Sequence, residues 1–235
     1  MIAATLGGCG YGIDYADCEV SCVGSGSDAC PSGFTCMAGM CRIEGAGASC
    51  QAPGEVTLRQ TTDDKVERAL ELGCTNPDNS TATGSWYRVF NLAQSGVDGS
   101  FKVDHVTLGI CFAVGTPTIT LKLGTYAGGA ADPTLDLTKV TMLGQTTVMV
   151  PATQITELVE GKIAATVPAN SNLIVEVAVP DLNGTGQEVN MGFTAGGEQK
   201  PGYVRSPLCG PATPTTTTGA GLPNAHLVMT VTGTP

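Results

Sequence analysis

The sequence predicts an all-β protein, in which a two-sheet β-sandwich follows a small disulfide-rich module. Short segments of alternating apolar and polar residues recur from residue 55 to the end, separated by Gly, Pro, Asn and Asp. Closely spaced strands without intervening helices cannot form a covered parallel sheet, which leaves two packed antiparallel sheets. The N-terminal segment, in contrast, is rich in cysteine and poor in large apolar residues. We therefore place the module and its linker at residues 1–50 and the sandwich at residues 51–235.

The N-terminal module has the spacing C-x8-C-x3-C-x7-C-x5-C-x4-C. We expect its six cysteines to form disulfides among themselves: Cys9, Cys18, Cys22, Cys30, Cys36 and Cys41. A segment with so few large apolar residues cannot offset chain entropy by burial alone. Zinc is the alternative, but the C-x2-C pairs of structural zinc sites are absent. Leu6 to Cys9 also resembles a bacterial lipobox, which would make Cys9 a lipidation site; we favour the simpler interpretation as a disulfide cysteine.

The strands of the sandwich begin at residues 55–60 and continue with an aromatic strand from Ser85 to Leu92. The next strand, 103–114, carries one apolar face, made of Val106, Leu108, Ile110, Phe112 and Val114. Residues 118–126 alternate Ile and Leu with Thr and Lys, as a half-buried strand does. Residues 61–74 fit either a short helix or a strand, and we favour a strand. Further strands are predicted at 140–150, 162–167, 172–179, 187–194 and 226–232.

Composition restricts the compartment and the partners. The formal net charge is −10 and only 11 residues are basic, which disfavours nucleic acid or an anionic membrane as a partner. Ten cysteines indicate an oxidising compartment. We expect an extracellular or cell-surface protein that touches a membrane only through an N-terminal lipid, if it carries one.

Catalytic motifs are absent: the sequence has no G-x-S-x-G elbow, H-E-x-x-H pair or P-loop. The two histidines, His105 and His226, fall in predicted strands. We therefore do not expect an enzyme and expect no cofactor beyond a structural Ca²⁺, because loop carboxylates are the ligands that calcium takes. The candidate metal ligands are Asp98, Asp132 and Asp136. The alternative use of loop carboxylates, glycoside hydrolysis, is kept as a minor hypothesis.

One aromatic and basic constellation suits sugar or peptide binding, because ring faces stack and guanidinium groups fix orientation. Its members are Trp86, Tyr87, Arg88, Tyr126, Tyr203 and Arg205. The alternative is that Trp86, Arg88 and Phe90 share one strand face and pack, with Arg88 paired to a carboxylate.

Two stretches carry a resemblance to known modules. CPSGFTCMAGMC, from Cys30 to Cys41, resembles small Dickkopf-like cysteine-rich modules of secreted bacterial proteins. Residues 55–234 resemble an uncharacterised accessory domain of secreted bacterial proteins, through YRVFNL (87–92), FKVDHVTLGI (101–110), VPANSNLIVEV (167–177), GYVRSPLCG (202–210) and GLPNAHLVMTVTG (221–233). That resemblance implies a jelly-roll-like sandwich similar to galactose-binding-like modules, used beside proteases, hydrolases or adhesins and not itself catalytic. It also implies a Cys74–Cys209 bridge.

Cys111 departs from the pattern of that domain. On its strand it points away from the apolar face, together with His105, Thr107 and Gly109, so another segment has to cover it. Cys50, in the linker, is the remaining candidate partner, which gives a Cys50–Cys111 bridge. The rival pairing joins Cys50 to Cys74 or Cys209.

The function expected from these features is a non-catalytic extracellular or cell-surface binding or adhesion module, with a glycan or a protein as its partner. One alternative is a structural subunit of an extracellular assembly that self-associates through exposed strand edges. A hydrolase that uses loop carboxylates is the other.

Overall fold

The structure is a computed structural model, and it describes residues 30–37, 40–43, 54–68 and 73–235. The chain divides into two compact units, Met1–Gly54 and Glu55–Pro235. Within the described ranges, no helix has the length and hydropathy of a membrane span.

The described part of the first unit is a β-hairpin. Strands β1 (Phe34–Met37) and β2 (Met40–Ile43) pair antiparallel, with Cys36 directly opposite Cys41. A disulfide joins Cys30 to Cys41, and Cys36 is disulfide-bonded as well. Four cysteines lie outside the described residues, and with them the lipidation hypothesis: Cys9, Cys18, Cys22 and Cys50.

The regular secondary structure of the second unit is almost entirely β-strand. They are β3 (Val56–Leu58), β4 (Gly84–Asn91), β5 (Phe101–Val114), β6 (Thr118–Tyr126), β7 (Val140–Met149), β8 (Glu157–Val167), β9 (Asn172–Val179), β10 (Glu188–Met191), β11 (Phe193–Thr194), β12 (Tyr203–Arg205), β13 (Thr215–Thr216), β14 (His226–Leu227) and β15 (Met229–Thr234). Single-turn 3₁₀ helices at Ala93–Ser95 and Leu137–Lys139 lie between strands of the described part of this unit.

Apart from β11 and β14, which pair with each other, these strands form two antiparallel sheets. The first has the order β3-β15-β5-β8, with β10 beside the end of β5; the second has the order β4-β9-β6-β7, with β12 and β13 beyond β4. The chain crosses between the sheets in the winding of a jelly roll, with β3, β5, β8 and β15 in one sheet and β4, β6, β7 and β9 in the other. The prediction of an all-β sandwich is confirmed.

The core lies between the inner faces of the two sheets. Each strand contributes every second side chain to this core, because alternate residues of a strand point to the same face. Its fully buried members include Val106, Leu108, Ile110, Leu121, Leu123, Leu173, Val175 and Val177.

Strand β5 breaks this alternation twice. Val103 and Val106 are both buried in the core, so the two residues between them, Asp104 and His105, lie together on the outer face. The pairing register shifts at the same place. A second shift follows Ile110, where the neighbouring strand skips one residue of β5.

That second shift corrects one sequence prediction. Ile110 and Ala113 both face the core, so Phe112 is only half-buried and Val114 is exposed. The predicted single apolar face of this strand therefore ends at Ile110, because Cys111 occupies the bulge and changes the alternation beyond it.

The outer face of β5 is covered by the segment that precedes residue 69. Val66 packs on Cys111 and Val228, and the Glu67 amide donates to the Phe193 carbonyl at 2.8 Å. The Cys111 thiol lies 3.7 Å from the Arg68 carbonyl. This segment is irregular rather than the strand favoured from sequence, since its backbone makes a single bridge at Thr61.

A buried arginine connects β4 to three other segments of the chain. Arg88, on β4, has no solvent exposure. Its guanidinium donates to the Leu227 carbonyl at 3.0 Å, the Lys200 carbonyl at 2.8 Å and the Gln60 amide oxygen at 3.2 Å. The Glu198 carboxylate, at 3.0 Å, neutralises it. Burial lowers the pKa of Arg88, and the charge of Glu198 opposes that shift.

Replacing Arg88 with Met should lower the free energy of unfolding by about 3–5 kcal/mol, because Glu198 and two carbonyls would stay buried without their partner. Arg59→Ala is the matched control. The Arg59–Asp64 pair has the same 3.0 Å separation but is partly exposed, so its loss should cost under about 1 kcal/mol. Urea denaturation measures both, and equal losses would contradict the role assigned to Arg88.

Gly109 on β5 leaves space for the covering segment. A Cβ at this position would lie 2.8 Å from Val66 and 2.8 Å from Val228. Gly109→Ala should therefore cost about 1–3 kcal/mol of stability by overpacking. Gly99→Ala, where no atom lies within 4 Å of the added methyl group, should stay within about 0.5 kcal/mol of the parent. Thermal denaturation that finds both variants unchanged would refute this packing.

Candidate functional site

The candidate site is a groove on the outer face of the β4-β9-β6-β7 sheet. Gly124 of β6 and Ile174 of β9 form its floor, and Val140, Met142 and Leu137 form its apolar wall. The cavity has a volume of about 170 Å³. Met142 is 50% exposed and Leu137 is 41% exposed, so this part of the sheet presents aliphatic surface to solvent.

A bulge in β7 places Met142 in the groove. Leu123 pairs with Gly144, while the next residue, Gly124, pairs with Met142, so Leu143 has no opposite residue. Leu143 packs against the core. Without this extra residue the alternation would turn Met142 inward, and with it Met142 points outward beside the bare backbone of Gly124.

The opposite end of the groove is polar. The Lys122 ammonium lies 3.2 Å from one carboxylate oxygen of Glu176. The other oxygen accepts hydrogen bonds from the Ser85 hydroxyl at 2.9 Å and the Tyr87 hydroxyl at 3.3 Å. Burial raises the pKa of Tyr87 to about 12, and the negative charge of Glu176 acts in the same direction. Tyr87 therefore remains a neutral donor at physiological pH.

Two other tyrosines hold the loop that carries Leu137. The Tyr203 hydroxyl donates to the Asp132 carbonyl at 2.9 Å, and the Tyr126 hydroxyl accepts from the Asp136 amide at 3.2 Å. Together with Tyr87, both rings belong to an apolar cluster on the outer face of the sheet. The pKa of Tyr203 is raised, mainly by burial. These tyrosines therefore position the groove wall.

The lining residues can bind but offer little for catalysis. The groove contains one carboxylate and one ammonium, already paired with each other. Glycoside hydrolysis requires two carboxyl groups flanking the bond, and acyl transfer requires an activated nucleophile. Neither arrangement occurs among the residues that line this groove.

No protein-family model matches this chain. No curated protein matches it either. The solved structures that are similar to this chain include two of Cwp84. One contains the cysteine protease and lectin-like domains of Cwp84, a surface layer associated protein of Clostridium difficile, with 12% identity, a TM-score of 0.46 and coverage of 86% of this chain and 40% of that chain.

The second is the clostridial cysteine protease Cwp84 after propeptide cleavage, with 9% identity and a TM-score of 0.47. It covers 86% of this chain and 45% of that chain. The present chain thus spans less than half of the solved chains it matches. At these identities and TM-scores, the similarity supports no inference about function.

The aromatic constellation predicted from sequence does not form an open binding surface. Trp86 and Arg88 point into the sandwich, where Trp86 packs edge-on against Phe193 with ring centroids 5.4 Å apart. The three tyrosines of the constellation, Tyr87, Tyr126 and Tyr203, are buried on the opposite side of the sheet. Arg205 donates to the Ala212 carbonyl at 3.0 Å. The reason is strand alternation: neighbouring residues of β4 face opposite sides of the sheet.

The aspartates predicted as metal ligands do not converge. Asp98 is exposed in the connection before β5. Asp132 accepts from the Gly129 amide at 2.9 Å, and Asp136 accepts from the Thr138 amide at 3.1 Å. Asp132 and Asp136 therefore each stabilise their own turn, as Asp commonly does. They form no cluster of three ligand atoms among the described residues.

A disulfide joins Cys74 to Cys209, the pair that the resemblance implied. The other inter-segment pairing, Cys50–Cys111, stays a prediction because Cys50 lies outside the described residues.

Sequence reasoning missed the residues that form the groove: Lys122, Leu137, Met142 and Glu176. Lys122 and Glu176 were recognisable as outward-facing polar residues in strands, but the sequence does not say that β6 and β9 are neighbours. Their pairing, Lys122 opposite Glu176, depends on the sheet order.

The raised pKa of Tyr87 predicts a pH dependence. An unfolded tyrosine loses its proton near pH 10, before the folded one does, so the stability that this group contributes is fully present below pH 10. It should be lost as the pH rises from 10 to 12. The free energy of unfolding should therefore fall more steeply over that range in the parent protein than in Tyr87→Phe. Denaturant titrations at several pH values test this, and parallel curves would contradict it.

Proposed function

We propose that this chain is a non-catalytic extracellular or cell-surface binding module, and that its groove takes a polypeptide segment. Disulfides support an oxidising compartment, because such bridges persist outside the reducing cytosol. The net charge of −10 argues against nucleic acid as the ligand.

The proposal rests on one observation, the exposed aliphatic wall beside an ion pair. Leu137 and Met142 suit an apolar side chain, and the Lys122–Glu176 pair offers a donor and an acceptor to a peptide backbone or a polar neighbour. Binding sites combine these elements, an apolar pocket with a few placed polar groups.

A glycan is the weaker alternative for this groove. Sugars are commonly held against exposed aromatic ring faces, and the one aromatic residue in the lining, Tyr87, is 1% exposed. The groove wall is aliphatic instead. We therefore favour a peptide ligand.

Self-assembly is a second candidate, favoured by the position of β7. This ten-residue strand lies at the edge of its sheet, and Met149 is 66% exposed on it. An exposed long edge strand can pair with another copy. Light scattering would show a concentration-dependent oligomer if this candidate is correct.

The decisive substitution is Met142→Asp, which places a charge in the apolar wall. Met149→Asp is a matched control, because Met149 is on the same strand and face but outside the groove. Against a peptide selected from an array by the parent protein, Met142→Asp should weaken binding about tenfold or more, the effect of losing one buried Met side chain. Met149→Asp should bind normally.

The array should also carry glycans. Selection of glycans without any peptide, or equal affinities for the two Asp variants, would overturn the proposal. Lys122→Met and Glu176→Gln test the polar end. We expect weaker binding of the same peptide by both, with the circular dichroism spectrum unchanged.

A further inference from the structure

The first bulge of β5 places two metal-ligating residues side by side. In a regular strand, neighbouring side chains point to opposite faces. Because Val103 and Val106 both enter the core, Asp104 and His105 share the outer face, and the Asp104 carboxylate lies 3.0 Å from Nδ1 of His105. This face belongs to the other sheet, away from the β4-β9-β6-β7 sheet that carries the groove.

A third ligand arrives from the start of β3. Thr57 pairs with Thr232, and Thr232 pairs with His105, so the outer face of β3 continues across β15 onto β5. Glu55 lies on the same face as Thr57, two residues earlier. Glu55, Asp104 and His105 each offer a ligand atom, and these atoms lie within 4.8 Å of one another. They form the one such group of three within the described residues.

The neighbouring strand β8 brings charges of both signs, and Lys162 is opposite His105 in the pairing register. A carboxylate oxygen of Glu160, on β8, lies 3.9 Å from Nε2 of His105. Three carboxylates therefore surround one imidazole on a surface where both Asp104 and Glu160 are at least half exposed. This arrangement favours a cation that accepts both nitrogen and oxygen ligands.

We propose that Glu55, Asp104 and His105 form a binding site for a divalent transition-metal ion of the Zn²⁺ type. Imidazole nitrogen suits zinc, copper, nickel and iron, whereas calcium takes six to eight oxygen ligands. Three protein ligands leave positions for water or for a further carboxylate. The ion would connect the edge strand β3 to the central strand β5 and so stabilise the sheet.

The test uses the complete oxidised chain, freed of metal by a chelator, with ZnCl₂ as the probe at pH 7.5. Isothermal titration should give one site per chain, and zinc should raise the melting temperature, since a ligand that binds only the folded state stabilises it. His105→Ala should weaken binding at least about tenfold and abolish the rise in melting temperature. Asp104→Asn and Glu55→Gln should each weaken binding as well.

His226→Gln is the matched control, because His226 is the other histidine of the chain and lies beside Glu198. It should bind zinc like the parent. Zinc held by cysteine thiols would persist in His105→Ala, so equal binding by the parent and that variant overturns the proposal. The proposal is also overturned if CaCl₂ binds as tightly as ZnCl₂, or if no zinc binds at millimolar concentration. Melting curves without metal show that each variant is folded.

Discussion

The sandwich depends on a charged group that has no access to water. The guanidinium of Arg88 can be buried only if its donors are paired and its charge neutralised, because an unpaired buried ion costs several kcal/mol. Leu227, Gln60, Lys200 and Glu198 supply those partners from three separate segments of the chain. The hydrogen bonds of this one side chain therefore fix β14, the residues after β3 and the loop before β12 relative to β4.

This constraint also explains why the aromatic cluster of β4 is structural. Arg88 has to face inward to reach the carbonyl of Leu227, and alternation then turns Trp86 inward and Tyr87 outward. The ring of Trp86 packs on Phe193 inside the sandwich. Tyr87 is covered on the outer face, where its hydroxyl donates to Glu176. The same alternation that makes the strand recognisable in sequence thus disperses its aromatic residues between two environments.

The sequence predicts features that depend on neighbouring residues, and it does not predict those that depend on residues far apart in the chain. Alternation is local, so strands such as β6 and β9 were predicted close to their observed bounds, and the all-β class followed. Sheet order is not local: nothing in the sequence near Lys122 indicates that Glu176 lies opposite it. The alternative that Arg88 pairs with a carboxylate could be stated from sequence, but the partner, Glu198, lies more than a hundred residues away.

Bulges are the second reason that the site could not be predicted. One inserted residue reverses the face of all that follows, and neither Asp104, Cys111 nor Leu143 is marked as an insertion by its neighbours. Phe112 was assigned to the wrong face for this reason. Along a strand with perfect alternation, side chains on the outer face are two residues apart, so consecutive residues do not share that face. Each candidate site lies where a bulge breaks that rule: at Leu143, which turns Met142 into the groove, and at Asp104, which brings a carboxylate next to an imidazole. Two of the three bulges, at Leu143 and Asp104, therefore carry the candidate sites, one in each sheet.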